Sequence, residues 1–586
     1  MRQWMVAAKK ADFYAIAEKF HVDPVVARII RNREVIGEKN IRIYLGGNLS
    51  DLSDPHQMKD MDRLVEILAQ KIRKQVRIRI IGDYDVDGVT SSHLFLTALR
   101  RVGAKVDVVI PHRIQDGYGL SLHLLQQAKE DGVDTILTCD NGIAAIDEIA
   151  WAKAQKMTVL VTDHHAVPFE EHEGRRTEKK SLADAVVNPH QQDCGYPYKE
   201  LCGAGVAWNV IRVLYENYDM DKREAEDLLD FVAMATVCDV MSLTGENRIL
   251  VKEGLKRIRH TKNIGLQALM QACNVQPENI SAYHFGYVLG PCVNATGRLD
   301  TARHALRLFE TGQETEAEEI ARDLVDLNQE RKELTLQGVE MAKKLCEEGG
   351  YENDPVLVLF LPDVHESIAG LIAGRIREMY NRPVFVLTRG EEGVKGSGRS
   401  TENYSMYENM CGCAELFTKF GGHPMAAGLS LPEENVEKFR RKINENCPLT
   451  VEEVCPDIHI DMAMPVGYAS TELVHQFALL EPFGKDNPSP LFADRNLSIS
   501  RMWLIGKNRN VLRMSVLSEY GQPVPVIFFG DVEMLFAYFT EKFGQGEVEN
   551  ALNGRKNRIL FSMVYTAKID FYQGNENLQL EMKYYR

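Results

Sequence analysis

No stretch of this chain is apolar for the roughly 20 residues that a membrane-spanning helix needs, so no membrane role is expected. The opening residues, MRQWMVAAKKADFY, lack the apolar heart of a secretory leader, and none is expected there. No CxxC pair occurs. The 11 cysteines are odd in number and scattered, which argues against a zinc ribbon or a disulfide scaffold and for reduced thiols in a cytosol. Positive charge is also short: 69 Lys and Arg stand against 84 Asp and Glu, a net charge of -15. That balance excludes a chain that coats nucleic acid indiscriminately, but not an enzyme with a local basic groove. An acidic exterior with a narrow basic slot favours threaded strands over broad contact with duplex. No Ser-His-Asp or Cys-His nucleophile pattern, long low-complexity tract or clear internal repeat is present.

What is present begins with length. At 586 residues the chain exceeds the size of one hydrophobic core, and three or four domains are expected. Residues 1–75 read as a polar helical extension packing on the domain that follows. Residues 76–312 begin with short apolar runs, from Arg77–Ile81 to Thr158–Thr162, that alternate with amphipathic helices. That pattern predicts a parallel, doubly wound sheet. Glu170 to Lys180 is so charged that a solvated loop is expected. From about 203 to 310 helices dominate. Residues 313–350 hold little Gly and no Pro until Gly349-Gly350, and predict one connecting helix about 50 Å long at 1.5 Å per residue. A second α/β domain occupies 351–454. From 455 to 586 short β-rich runs predict a small barrel. The fold class is therefore α/β: two α/β domains joined by a long helix, plus a C-terminal barrel.

The chemistry gathers at strand ends, where open α/β sheets bind ligands. Asp83, Asp85 and Asp87 fall within Gly82-Asp-Tyr-Asp-Val-Asp-Gly88, directly after a strand. Their mutual repulsion calls for cations; read alone, an acidic turn explains them as well. Asp140 in Cys139-Asp-Asn-Gly142 ends another strand, and His164 and His165 in Thr162-Asp-His-His165 end the next. Asp239 follows the apolar run Phe231 to Val237; it reads either as a ligand or as a surface acid closing a helix. Carboxylates with imidazole suit Mn2+ or Mg2+ better than Zn2+. Two such ions would activate a water for in-line attack on phosphorus and stabilise the leaving oxygen.

These motifs together resemble the DHH phosphoesterase superfamily, and within it the branch of exonucleases specific for single strands. Further segments follow the same family order: Pro111-His-Arg113 with Asp116-Gly-Tyr-Gly-Leu120, Val187-Asn-Pro189 and Cys202 to Ala207. Then come Asn294-Ala-Thr-Gly-Arg298, His365 to Gly370, Gly396 to Ser400, Gly421 to Gly428 and Glu481 to Pro488. The resemblance covers roughly residues 45 to 530. It implies that Asp85, Asp87, Asp140, His164 and Asp239 hold two divalent metal ions, Mn2+ or Mg2+. It implies that His165 meets the scissile phosphate or water, with Asp83 behind the ligands and direct ligation by it also open. Arg113, Ser397 and Arg399 would hold a terminal phosphate, and Tyr118 would stack on a base. Asn294, Arg298, His365, Ser400, Gly422 and His423 belong to the substrate-binding motifs. Three positions depart from the pattern: Val364 where Trp is frequent, Ser367 where Gly is frequent, and Cys292 where Arg is frequent.

The resemblance further implies 5′→3′ hydrolysis of single-stranded DNA to 5′-mononucleotides, in repair and recombination, by a cytoplasmic monomer. A single-strand-binding protein and a helicase are the implied partners. The C-terminal part resembles an oligonucleotide-binding (OB) barrel, and Met502 to Ile505 with Lys507, Arg509 and Arg513 mixes aromatic and basic residues as single-strand grooves do. Two other classes remain open on sequence: hydrolysis of very short RNAs or cyclic dinucleotides, and DNA binding without catalysis.

Overall fold

Buried β-branched runs build the first sheet. In the computed structural model, which describes residues 3–113, 116, 119–172, 175–390, 393–506, 509–572 and 574–586, five strands lie side by side, all parallel. Their order is Lys105–Val109, Arg77–Ile81, Thr135–Cys139, Thr158–Thr162 and Ala185–Val187. Leu124, Leu125, Ile149 and Ala152, from helices Leu122–Glu130 and Ile146–Ala154, share a core with Ile136, Val159 and Val161. Helices Val86–Arg101 and Gly203–Asn217 pack on each other and on the same strands. The chain leaves Arg77–Ile81 to one side and returns to the other at Thr135–Cys139. The order therefore reverses between these two strands, where a crevice opens at their carboxyl ends.

Helix Glu314–Glu348 runs unbroken for 35 residues, burying Ile320 and Leu324 near its start and Val339 and Ala342 near its end. It leads to a second, mixed sheet ordered Lys419–Gly422, Ala426–Leu431, Val394–Arg399, Val384–Arg389 and Leu357–Phe360. Val364 is buried in the core of this domain with Ile368 and Ile372, so an aliphatic side chain fills the place where the family often has Trp.

The chain divides into two compact units: residues 52–456, and residues 3–51 together with 457–586. In the second unit strand Phe492–Ile505 pairs with both Val511–Leu517 and Leu560–Tyr572. Pro523–Phe528 and Asn575–Tyr585 complete the ring and close a barrel. Arg501 lies over the Trp503 ring at 5.6 Å, and Arg513 is the cross-strand partner of Trp503. Lys507 lies outside the described residues.

Two expectations are corrected. Residues 1–75 do not act as one extension on the catalytic domain, because residues 3–51 share the barrel's core. Val26, Ile29 and Ile30 are buried with Val466, Leu473 and Phe477, and Arg33 pairs with Asp461 at 2.7 Å. Burying that apolar face is worth more than any local preference of a polar helix. The charged segment after Pro168 is also no plain loop: Phe169–His172 and Arg175–Glu178 form an antiparallel hairpin. Its register sets Glu170 against Thr177, and Lys179 pairs with Glu170 at 3.1 Å.

Candidate metal centre and phosphate cavity

The first acidic loop is shaped by its helix. Asp85 caps helix Val86–Arg101, its carboxylate accepting from Gly88 N at 3.0 Å. The turn folds back so tightly that a Cβ on Gly88 would stand 2.5 Å from the Asp83 backbone, so glycine is required. Asp87 then meets the start of helix Gly203–Asn217. Gly203 N donates to its Oδ2 at 2.6 Å and Ala204 N to its Oδ1 at 2.7 Å, which sets a carboxylate against the positive end of a helix. Asp140 turns in from the neighbouring strand with φ of 62°, a left-handed conformation that Asp and Asn tolerate better than other side chains.

His164 is the focus. Its Nε2 lies 3.1 Å from Asp140 Oδ1, 3.6 Å from Asp239 Oδ2 and 3.7 Å from Asp87 Oδ2. Three sets of donor atoms each fall within 4.8 Å of one another: Asp83–Asp85–Asp140, Asp87–His164–Asp239 and Asp140–His164–His165. Asp140 and His164 each belong to two sets, so the three merge into one cluster. Asp83 shares the first set equally with Asp85 and Asp140. Asp239 ends helix Leu229–Cys238 and turns into the crevice, so it is no ordinary surface acid.

Electrostatics agree that this cluster is built for cations. Burial, then the neighbouring charges of Asp87 and Asp85, push the Asp140 carboxyl well above its ordinary value. Burial and the charge of Asp85 do the same to Asp83. Burial lowers the His164 imidazole, keeping it a neutral donor. Asp83 Oδ1 and His164 Nε2 are buried without a hydrogen bond among the described residues. Buried atoms of this kind normally find a partner, and oxygen-rich donors with one or two imidazoles fit a hard divalent ion. Asp163 stands apart. Its Oδ1 accepts from His165 Nδ1 at 2.8 Å and from His164 N at 2.7 Å, and its Oδ2 from Ile143 N at 2.9 Å. Burial pulls the His165 imidazole down, yet the Asp163 carboxylate beside it lifts it to about 9.

Next to the cluster lies a cavity of about 470 Å³ lined by Tyr84, Arg113, Arg298, Ser367, Ser397 and Arg399, among others. Arg113 stacks over the Tyr84 ring at 5.0 Å. Arg298 donates to Ser367 O at 2.6 Å, and Arg399 to Ser397 Oγ at 3.2 Å. Burial, then the like charges of Arg113, Arg331 and Arg399, press the Arg298 guanidinium downward. Such crowding of cations is relieved by an anion. Lys395 and Lys419 also line the cavity, although no sequence motif singles them out. Lys395, Ser397 and Arg399 alternate along one strand, so the two-residue period marks Lys395 as sharing their face. Asp163 was legible only as the acid preceding the two histidines.

Other expected substrate contacts hold the scaffold. Asn294 Oδ1 accepts from Val86 N at 3.2 Å and fixes the start of the helix that Asp85 caps. His365 caps helix Glu366–Tyr380, its Nδ1 2.7 Å from Ser367 Oγ. Ser400 is corrected: it is 1% exposed and its hydroxyl donates to Tyr404 O at 2.6 Å, so it has no donor to offer a phosphate. Gly422 and His423 sit at the turn between strands Lys419–Gly422 and Ala426–Leu431, with His423 N donating to Ala426 O at 2.8 Å. Neither lines the cavity, whereas Gly421 does. Tyr118 lies outside the described residues.

Residues 77–236 match the DHH family, N-terminal domain; residues 353–447 match the DHHA1 domain; residues 460–584 match the RecJ OB domain. A single-stranded-DNA-specific exonuclease RecJ of Haemophilus influenzae is 32% identical over 96% of this chain and 96% of its own length. One from Bacillus subtilis is 33% identical over 87% of this chain, which spans 63% of that longer protein. Among solved structures, RecJ of Thermus thermophilus in complex with Mn2+ superposes with a TM-score of 0.79 at 25% identity, covering 100% of this chain and 79% of that one. With the DHH motifs at its strand ends and three family domains in order, the chain belongs to the RecJ family of DHH phosphoesterases.

Proposed function

We propose that this chain is a metal-dependent exonuclease that removes 5′-mononucleotides from single-stranded DNA, in repair and recombination. The observation that carries this reading is the place of Tyr84. It stands between Asp83 and Asp85 of the donor cluster and itself lines the arginine cavity, so ion site and anion site adjoin. Asp85, Asp87, Asp140, His164 and Asp239 would hold two ions, Mn2+ or Mg2+, with Asp83 close enough to join them. When bound, the ions supply Lewis acidity for activating water and neutralise charge on the phosphate under attack.

The protein's own groups do the rest. Arg113, Arg298 and Arg399 hold a terminal phosphate through charge-assisted hydrogen bonds and thereby place the next phosphodiester at the carboxylates. Asp163 fixes His165 through Nδ1, so a proton exchanged with substrate passes through Nε2. Polarity comes from the family resemblance, and a cavity for a terminal phosphate suits the 5′ end of DNA. Helix Glu314–Glu348 serves as spacer, the domain over residues 351–454 as the holder of the strand end, and the barrel over 455–586 as a further single-strand contact. A single-strand-binding protein and a helicase are the partners this reading implies, with a monomer acting in the cytoplasm. No helix among the described residues is long and apolar enough to cross a membrane.

The test is a single strand labelled at either end, with and without a 5′-phosphate, in Mn2+ or Mg2+. Labelled mononucleotide should appear first from the 5′ end, and a duplex with a 5′ overhang should be trimmed only to its junction. Full digestion of blunt duplex, or release from the 3′ end, would overturn the reading.

A further inference from the structure

We propose that Cys273 and Cys292 form a peroxide-responsive dithiol whose closure to a disulfide slows the enzyme. Cys273 ends helix Ile264–Ala272 and is partly exposed, while Cys292 lies in helix Gly290–Leu299 and is 2% exposed. Their sulfurs are 3.7 Å apart, and both thiols are free. A disulfide brings sulfurs to about 2.05 Å, so closure asks for a shift of roughly 1.7 Å shared between two helix ends.

The two thiols differ in a way that divides the labour. The hydrogen bond shared with Cys292, whose thiol also donates to Val288 O at 3.3 Å, together with nearby Lys332 and against some burial, draws the Cys273 thiol below its ordinary value. The same hydrogen bond, followed by burial, drives Cys292 upward. Cys273 is thus the reachable, more ionised sulfur, and Cys292 the sheltered one within reach of it. The oxidant is a hydroperoxide. The Cys273 thiolate attacks the peroxide oxygen, the O–O bond breaks, and hydroxide leaves, giving a sulfenic acid. The Cys292 sulfur then attacks Cys273 sulfur, the S–O bond breaks, and water leaves. Two thiols and one hydrogen peroxide become one disulfide and two waters.

Closure would be felt at the active site because of what Cys292 is attached to. Two residues further along the same helix Asn294 anchors Val86 N, and six residues along Arg298 reaches the phosphate cavity and Ser367 O. Cys292 Sγ also accepts from Asn328 Nδ2, at 3.4 Å, on the connecting helix. Drawing Cys292 toward Cys273 therefore strains three supports together. The effect on turnover rests on the nuclease reading above; the disulfide itself does not.

The test treats the reduced full chain with increasing hydrogen peroxide, quenches with catalase, and maps peptides by mass spectrometry without reduction. A peptide linking residues 273 and 292, two hydrogens lighter than the separate pair, should form before exposed Cys411 is oxidised, and dithiothreitol should remove it. Cys273→Ser should abolish the link and leave Cys292 alkylatable. Cys292→Ser should stall at a sulfenic acid on Cys273 that dimedone traps, which also serves if the first variant folds poorly. Cleavage of a single strand should fall several-fold with the link, recover with dithiothreitol, and resist the same dose in Cys273→Ser. Oxidation elsewhere while both thiols stay alkylatable overturns the proposal, and a complete link with unchanged cleavage overturns its coupling to the site. A reduced protein that cleaves nothing refutes the nuclease reading instead, and the link is still read by mass.

Discussion

Asp163 grips His165 twice: its Oδ1 accepts from His165 Nδ1 at 2.8 Å and from His165 N at 3.1 Å. The same residue also takes Ile143 N on its other oxygen, so it ties the two histidines to the neighbouring strand end. Asp163 is a positioning residue whose influence runs through His165.

Asp163→Asn should therefore lower kcat by about 10- to 100-fold, the usual cost of losing an outer partner of a metal-site histidine. KM for a single strand should move far less. The variant keeps an oxygen acceptor and should fold; an unchanged kcat would remove Asp163 from the machinery.

Asp140 combines chemistry with an unusual backbone. Both Asp140→Ala and Asp140→Asn should reduce hydrolysis at least about a hundredfold, since each removes a donor shared by two ion sets. Their melting temperatures should differ. Alanine in the left-handed region costs roughly 1–2 kcal/mol, while asparagine tolerates it. Calorimetry in the presence of chelator should show the Asn variant melting higher; equal midpoints would mean that the backbone relaxes.

The arginine cavity predicts discrimination between strand ends. Arg298→Ala or Arg399→Ala should cut the preference for a 5′-phosphate over a 5′-hydroxyl by about tenfold or more, because one charge-assisted hydrogen bond contributes about 1.5–3 kcal/mol. The comparison is of kcat/KM on the two substrates. A variant whose ratio equals the wild type's would show that the phosphate binds elsewhere.

Away from the site, burial raises the Asp230 carboxyl to about 6, despite a hydrogen bond from Thr261 Oγ1 at 2.6 Å. With the folded value above the unfolded one near 3.9, this residue favours the fold in acid. That contribution is complete below about pH 4 and lost as pH rises through 6. Asp230→Asn keeps the acceptor and avoids the buried charge. It should stabilise the protein above pH 6 by an amount on the order of 2–3 kcal/mol, and hardly at all near pH 4. Melting curves of the two proteins that run parallel from pH 4 to 8 would contradict this.

Much of the catalytic crevice was legible because strand ends in a parallel sheet are predictable places, and the acids at 83, 85, 87 and 140 and the histidines at 164 and 165 follow apolar runs closely. What sequence could not show was side-chain direction. Residue type made Ser400 a plausible phosphate contact, but its hydroxyl points to Tyr404 O. Nor could local pattern reveal partners distant in the chain. The helices before residue 51 are polar on one face and apolar on the other; the apolar face is buried against Val466, Leu473 and Phe477, and Arg33 pairs with Asp461, 428 residues away. The hairpin at Phe169–His172 was hidden by its charge, since strand propensity there depends on cross-strand neighbours.

The ring closed by Phe492–Ile505 has a consequence for how the barrel can meet other molecules. A sheet that wraps onto itself presents no continuous row of idle amides along a border. Little border is left for a further strand, and among the described residues the chain itself adds a short one there, Met462–Ala463 beside Phe492 and Ala493. The wall of the ring instead presents side chains such as Arg501 and Trp503, an arrangement suited to flexible ligands that bring rings and charges instead of a backbone ladder.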